Sequence, residues 1–311
     1  MSAGSAGDGA RSTVRPNRET NGGAPLRTFL RTADGVRIDS VYDPPAAVRD
    51  GPRPPSRDLV FVVAHGFTGD AHRPHVRRVV RALARYGAVV TFSFRGHGMS
   101  GGRSTVGDRE VLDLAAAVAW ARRLGHARVA TVGFSMGGSV VLRHAALYRQ
   151  PGWSGQSGWS GRPGGGRTDA HTDAPTDAPT DAHTDAVVSV SAPARWYYRG
   201  TAPMRRLHWL VTRPEGRVVG RYGFRTRIHH RTWDPVPLSP VEAVPRIAPT
   251  PLLIVHGDRD GYFPVDHPRT LAAAAGDHGE LWLEPGMGHA EHAAAGELLR
   301  RIGDWAVARA G

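Results

Sequence analysis

Five residues, Gly133-Phe134-Ser135-Met136-Gly137, stand between two segments of different character. The run before them, Arg128-Val129-Ala130-Thr131-Val132, is apolar and β-branched and reads as a buried strand. The run after them, Gly138 to Leu147, reads as a helix. A strand that enters a helix through Gly-x-Ser-x-Gly must turn so tightly that the serine hydroxyl is held out at the top of a sheet. A side chain at either flanking glycine would collide with the neighbouring strand and helix. The pentapeptide alone carries little weight. With 39 Gly and 16 Ser in 311 residues, chance supplies roughly 0.25 such matches. Its meaning depends on what lies at the other strand ends.

The remaining pattern alternates. Leu26 to Thr32 and Val36 to Tyr42 read as two strands joined by Ala33-Asp34-Gly35, followed by a Pro-rich loop from Asp43 to Arg57. Asp58 to Ala64 and Ala88 to Phe94 are nearly continuous apolar runs, as expected of strands covered on both faces. Ala186 to Val190, Pro251 to His256 and Glu280 to Glu284 add three more. Helices are expected over His72 to Tyr86, Arg109 to Leu124, Val265 to Ala275 and Glu291 to Ala308. Strands alternating with helices predict a mostly parallel, doubly wound α/β sheet.

Two stretches fall outside this pattern. Residues 1–25 are small and polar with scattered Arg and lack the apolar core of a signal peptide, so a disordered tail is expected. Residues 151–186 hold Gly-Trp-Ser-Gly twice and then a tandem Thr-Asp-Ala-His/Pro tetrapeptide from Thr168 to Ala186. Units this short bury nothing on their own, so they read as a disordered low-complexity insertion. The sequence gives no rigid frame for His171 and His183 to hold a metal, and no metal site is expected.

Composition excludes several chemistries. The chain has no Cys, so thiolate catalysis, disulfides and cysteine metal sites are out. It has no Lys, and all 40 basic residues are Arg, which removes Schiff-base chemistry. No apolar run is long enough to cross a bilayer, and a cytoplasmic location is the expectation. The formal net charge of +12 could attract nucleic acid, but no helix-turn-helix, zinc-finger or RNP pattern accompanies it.

Three strand ends supply partners for Ser135. His65-Gly66-Phe67 follows the strand at 58–64, where a backbone N–H can face a developing oxyanion. The amides of Phe67 and Met136 are the expected pair of donors. Asp260 lies in His256-Gly257-Asp258-Arg259-Asp260-Gly261, just past an apolar strand, with Asp258 as its competitor. His289 lies in Glu284-Pro285-Gly286-Met287-Gly288-His289 before the last helix, with His292 as its rival. A carboxylate at a strand end can orient an imidazole, and a loop imidazole can act as general base.

The order Ser135, Asp260, His289, each at a strand end, resembles the α/β-hydrolase superfamily, in its esterase, lipase and serine-aminopeptidase-like branch. Phe94-Arg95-Gly96-His97-Gly98-Met99-Ser100 is similar to the family's loop after the fourth strand. The resemblance covers about residues 26–150 and 187–311. It implies an α/β-hydrolase fold of about eight strands with a small inserted lid, and a catalytic set of Ser135, Asp260 and His289. It also implies hydrolysis of a small or medium ester, thioester or amide through an acyl-enzyme, with no cofactor. Two alternatives stay open: a cofactor-free perhydrolase or haloperoxidase-like enzyme with the same three residues, and a non-catalytic binding protein on the same scaffold.

Family members commonly insert a lid after the sixth strand, which here spans 192–248. From Arg195 to Arg231 it holds ten Arg, one Glu and no Asp, interleaved with Trp196, Tyr197, Tyr198, Trp209, Tyr222 and Phe224. Guanidinium groups bind carboxylate or phosphate in bidentate fashion. Arg205, Arg206, Trp196 and Tyr197 are therefore the expected substrate contacts, for an acyl substrate with an anionic portion. Peripheral contact with an anionic membrane surface is a second reading of the same charge.

Overall fold

The computed structural model describes residues 23–46, 56–149 and 181–311. The N-terminal residues before 23 and the Gly-Trp-Ser-Gly repeats lie outside them, as does most of the Thr-Asp-Ala tract. Eight strands form one sheet: β1 Leu26–Arg31, β2 Arg37–Asp43, β3 Leu59–Ala64, β4 Ala88–Phe92, β5 Arg128–Phe134, β6 Ala186–Val190, β7 Leu252–Gly257 and β8 Gly279–Glu284. Their order is β1-β2-β4-β3-β5-β6-β7-β8. The β1–β2 and β2–β4 pairs are antiparallel, and every other pair is parallel.

The helices are α1 Pro74–Leu83, α2 Glu110–Arg123, α3 Met136–Leu147, α4 Ala202–Thr212, α5 Pro214–Gly223, α6 Pro240–Ala243, α7 Asp266–Ala275, α8 Ala290–Ala293 and α9 Gly296–Arg309. The period-2 pleat of β3 divides the core between two layers. Val60, Val62 and Ala64 pack with Leu114, Val118, Val140 and Leu271, from α2, α3 and α7. Leu59, Phe61 and Val63 pack with Val79, Leu83, Leu299 and Ile302, from α1 and α9. All six β3 residues are buried, which accounts for the continuous apolar run in the sequence.

Two helices differ from their expected bounds. α1 starts at Pro74, because Arg73 is extended at ψ 139° and Pro74 fills the first helical position. Its buried Val76, Val79, Val80 and Leu83 follow the helical spacing, and Arg81 lies in its last turn. The helix expected over 291–308 is two helices, because Ala294 and Ala295 are extended at ψ 108° and 160°. The short α8 is tied to strand-end loops: the Ala290 N–H donates to Ser191 Oγ, and the Glu291 carboxylate accepts from the Gly66 N–H. α9 packs separately against α1. The low-complexity insertion expected to end at 186 meets the fold earlier. Ala182 and Thr184 are buried, and the Thr184 hydroxyl donates to the carbonyls of Val129 and Ala186.

One buried ion network fastens the loop after β4. The Arg95 guanidinium donates to Asp113 Oδ1 at 2.8 and 2.9 Å, and the Arg95 N–H donates to Oδ2 at 2.7 Å. The same guanidinium also grips Asp34 at 2.7 and 3.0 Å. The Asp113 side chain is fully buried. Removing one member of a buried pair leaves an uncompensated charge. Asp113→Ala is therefore expected to cost about 3 kcal/mol, with Asp34 keeping part of the pairing, and to lower Tm by on the order of 10 °C. A fall of less than about 3 °C in a thermal melt would contradict this account.

Candidate active site

The chain crosses from one side of β3 to the other after β4, so the carboxyl ends of β3, β5, β7 and β8 open onto a shared crevice. Ser135 follows β5 directly, at φ 52° and ψ −112°, a left-handed conformation that costs a non-glycine residue strain. The turn is closed by its glycines. A Cβ on Gly137 would overlap the Ala64 carbonyl, and one on Gly133 would overlap that of Gly137. The Ser135 N–H donates to the Val190 carbonyl at 2.8 Å, fixing the elbow to β6.

His289 and Asp260 meet this serine. His289 Nε2 lies 2.9 Å from Ser135 Oγ, and its Nδ1 lies 2.7 Å from Asp260 Oδ2. Asp260 Oδ1 accepts the N–H groups of Tyr262 and Phe263 at 2.8 and 3.1 Å. Burial works to raise the Asp260 pKa, but the hydrogen bond and charge of His289, with these two amides, outweigh it and hold the carboxyl below the usual range. An ionised Asp260 places the imidazole proton on Nδ1, which leaves Nε2 to accept the Ser135 O–H. The Tyr262 ring stacks on His289, with centroids 4.2 Å apart.

The two competitors sit elsewhere. Asp258 Oδ1 accepts the Gly286 N–H at 2.6 Å and so braces the loop that carries His289. The His292 ring packs on His75, with centroids 3.8 Å apart.

The loop after β3 is fastened on both sides of Phe67. The Gly66 N–H donates to Glu291 Oε1 at 3.1 Å, and the Gly66 carbonyl accepts from His65 Nδ1 at 2.7 Å. The Thr68 N–H donates to His97 Nε2 at 3.3 Å. The Phe67 amide is thereby held between two fixed residues. The Met136 amide, at the first position of α3, has no intrahelical acceptor. Nothing local in the sequence marks Glu291 as part of the site. Its position two residues after His289 was visible, but its partner lies 225 residues away.

A cavity of about 310 Å³ opens above the elbow, with Phe67, Ser135 and Met136 in its lining. That is the size of a small-molecule site. The segment between β6 and β7 supplies most of the wall. Trp196, Tyr197 and Trp233 cluster there, with Trp233 5.1 Å from Trp196 and 5.5 Å from Tyr197. Met204, Leu207 and Val211 line it from α4. Four arginines, Arg195, Arg199, Arg217 and Arg231, also line it, the Arg195 guanidinium being paired with Asp266 at 2.8 Å, and no described lining residue is acidic. The expected contacts therefore divide. Trp196 and Tyr197 line the cavity, whereas Arg205 and Arg206 are exposed on the outer side of α4 and do not. Arg205 donates instead to the carbonyls of Arg199 and Gly200.

Residues 59–301 match the model of the alpha/beta hydrolase family. The chain belongs to that family. Family membership makes it an enzyme of the hydrolase type. Its fold is shared with the Pyrococcus furiosus esterase Pf2001, at 21% identity and a TM-score of 0.62, with 93% of each chain covered. It is also shared with an α/β serine hydrolase without lid from Xanthomonas campestris, at 19% identity and 0.55, covering 92% of this chain and 94% of that one. Est1E from Butyrivibrio proteoclasticus, solved with ferulic acid bound, matches at 18% and 0.54, covering 90% of this chain and 99% of that one. No curated protein matches the sequence. Among the described residues no helix is long and apolar enough to cross a membrane.

Proposed function

We propose that the protein is a serine hydrolase that cleaves a small or medium carboxylic ester, thioester or amide through an acyl-enzyme on Ser135. The observation that carries this reading is the pair of hydrogen bonds that link Asp260 through His289 to Ser135, whose side chain lines the cavity. Ser135 Oγ attacks the acyl carbon while His289 Nε2 takes its proton. Asp260 keeps the imidazole in the right tautomer and stabilises its charged form. The Phe67 and Met136 amides receive the oxyanion, and their fixed positions save reorganisation as charge develops. His289 then delivers the proton to the leaving group and activates the water that releases the acyl chain.

Labelling with a fluorophosphonate tests the reading. The wild type is expected to label and Ser135→Ala to lose the label. An unlabelled wild type would favour a binding protein on this scaffold.

The segment 192–248 acts in this reading as a lid that selects the acyl portion. Its Trp and Tyr walls suit a flat or branched apolar group, and its guanidinium groups suit an anion on the same molecule. Reversing the charge at Arg217 and Arg231 is expected to lower the kcat/KM ratio of anionic to neutral esters by about 5–10-fold. The same reversal at Arg205 and Arg206 is expected to leave that ratio within about twofold, since both sit outside the cavity. Equal effects from the two pairs would mean that long-range charge, not contact, sets selectivity.

A further inference from the structure

The motif that carries His289 also carries Glu291 and His292, and the reaction uses neither as a reacting group. With His75 of α1 these two residues form a cluster at the start of α8. Its three ligand atoms all lie within 4.8 Å of one another. We propose that His75, Glu291 and His292 bind one divalent cation of the zinc class, on the far side of the loop that carries Phe67.

Four observations support the site. First, Glu291 is buried, at 3% exposure, yet its Oε1 accepts only a backbone N–H, from Gly66, at 3.1 Å. A buried carboxylate calls for a cation beside it. The nearest basic group is His75, whose Nε2 is 3.8 Å from Oε1. Arg78 does not fill the role, because its guanidinium donates to the backbone carbonyls of Glu291 and His292. Second, His75 Nε2 is buried without a hydrogen-bond partner and faces the carboxylate. A neutral imidazole nitrogen in that position is a ligand atom with nothing bound to it.

Third, the spacing is close to what a metal needs. Ligand atoms around a tetrahedral zinc lie about 3.4 Å apart. The His75–Glu291 pair is already near that, and His292, exposed on a four-residue helix, can close the remainder with a small ring movement. Its exposure also gives the ion a way in and leaves a fourth position to water. Fourth, the donor set is two imidazoles and one carboxylate, which favours zinc-class ions over magnesium or calcium.

The site connects directly to the oxyanion loop. Glu291 Oε1, which faces His75, would take the ion on one lone pair while the other continues to accept the Gly66 N–H. Loading the site therefore ties α1, α8 and residues 65–67 together.

Calorimetric titration of the full chain with zinc chloride near pH 7.5 tests this, since binding needs neutral imidazoles. One Zn²⁺ per chain is expected, with a rise of several degrees in Tm and no uptake of Mg²⁺. His75→Ala and His292→Ala should each weaken binding by about tenfold or more, and the double variant should abolish it. His292 is exposed, so its variant keeps the fold. A wild type that takes up no zinc would overturn the proposal. So would a double variant that binds as the wild type does, because the ion would then sit on other histidines such as His171. Fluorophosphonate labelling of Ser135 is independent of either result, so failure here leaves the hydrolase reading standing.

Discussion

Ser135→Ala is expected to lower kcat toward a p-nitrophenyl ester by about 10⁴-fold or more, with little change in KM or in Tm. The hydroxyl is the group that forms the acyl bond, and no second nucleophile lines the cavity floor at hydrogen-bond distance from His289 Nε2 among the described residues. The oxyanion donors and the aromatic walls remain in the variant, so binding persists while bond formation is lost. Alanine keeps the strained φ of 52° that serine already holds, which limits the stability change to about 1 kcal/mol. His289→Ala should fall to a similar level. Combining the two should add almost nothing, because a nucleophile and its base act as one unit. Assayed without added zinc, His292→Ala should leave kcat within about twofold, since its ring packs on His75 and not on Ser135. If His292→Ala abolished turnover and His289→Ala did not, the assignment of the base would be overturned. Steady-state kinetics on purified variants decides between these outcomes.

Much of the fold was legible because burial on both sheet faces writes itself into sequence as unbroken apolar runs. Phe61 and Val132 sit in such runs, and their strands fall within a residue or two of the expected bounds. Helix ends were less legible. Arg73 and Tyr86 carry the pattern past the points where an extended residue and the end of the buried stripe stop α1. The break at Ala294 and Ala295 leaves no mark, since alanine is the best helix former and only tertiary ties to Ser191 and Gly66 hold α8 apart.

The lid shows the same limit. Composition marked it as basic and aromatic, but composition has no direction. The helical period does: Met204, Leu207 and Val211 face the cavity, so Arg205 and Arg206 fall on the outer side. That reading was available from the spacing alone. By contrast, the choice of Arg217 and Arg231 depends on how α5 and the segment after it fold back over the loop that follows β4. The backbone bridges from His97 to Thr226 and from Ser104 to Ile228 fix that path, and nothing local in the sequence encodes it.

A second large effect is expected in acid, and it comes from buried histidines held neutral, His144 and His267 among them, and above all from two that serve as fasteners. His65 and His97 are both buried, with rings 5.2 Å apart. In each, one nitrogen accepts a backbone N–H and the other donates to a carbonyl. His65 takes the Phe94 N–H at 3.0 Å and donates to Gly66, while His97 takes the Thr68 N–H and donates to Arg95 at 3.0 Å. Only the neutral ring can do both. Burial pushes each down to about 4, and the neighbouring His97 adds to the fall at His65. In the unfolded chain both sit near 6.5. Between those values the unfolded state binds protons that the folded state refuses, so folding stability declines as pH falls. It is complete above about pH 6.5, and each histidine gives up on the order of a few kcal/mol on the way to pH 4. Tm should therefore be level from about pH 8 to 7 and drop below about 6, with the buried Asp113 carboxyl, pushed up to about 7 by desolvation, opposing part of the fall. His97→Gln, which can accept from Thr68 but carries no proton in this range, should flatten part of that slope. A Tm that stays level down to about pH 4.5 would contradict the mechanism. Because these rings also set the position of the Phe67 amide, acid should remove the oxyanion loop and the fold together. Hydrolysis measured after return to neutral pH should recover only as far as the protein refolds.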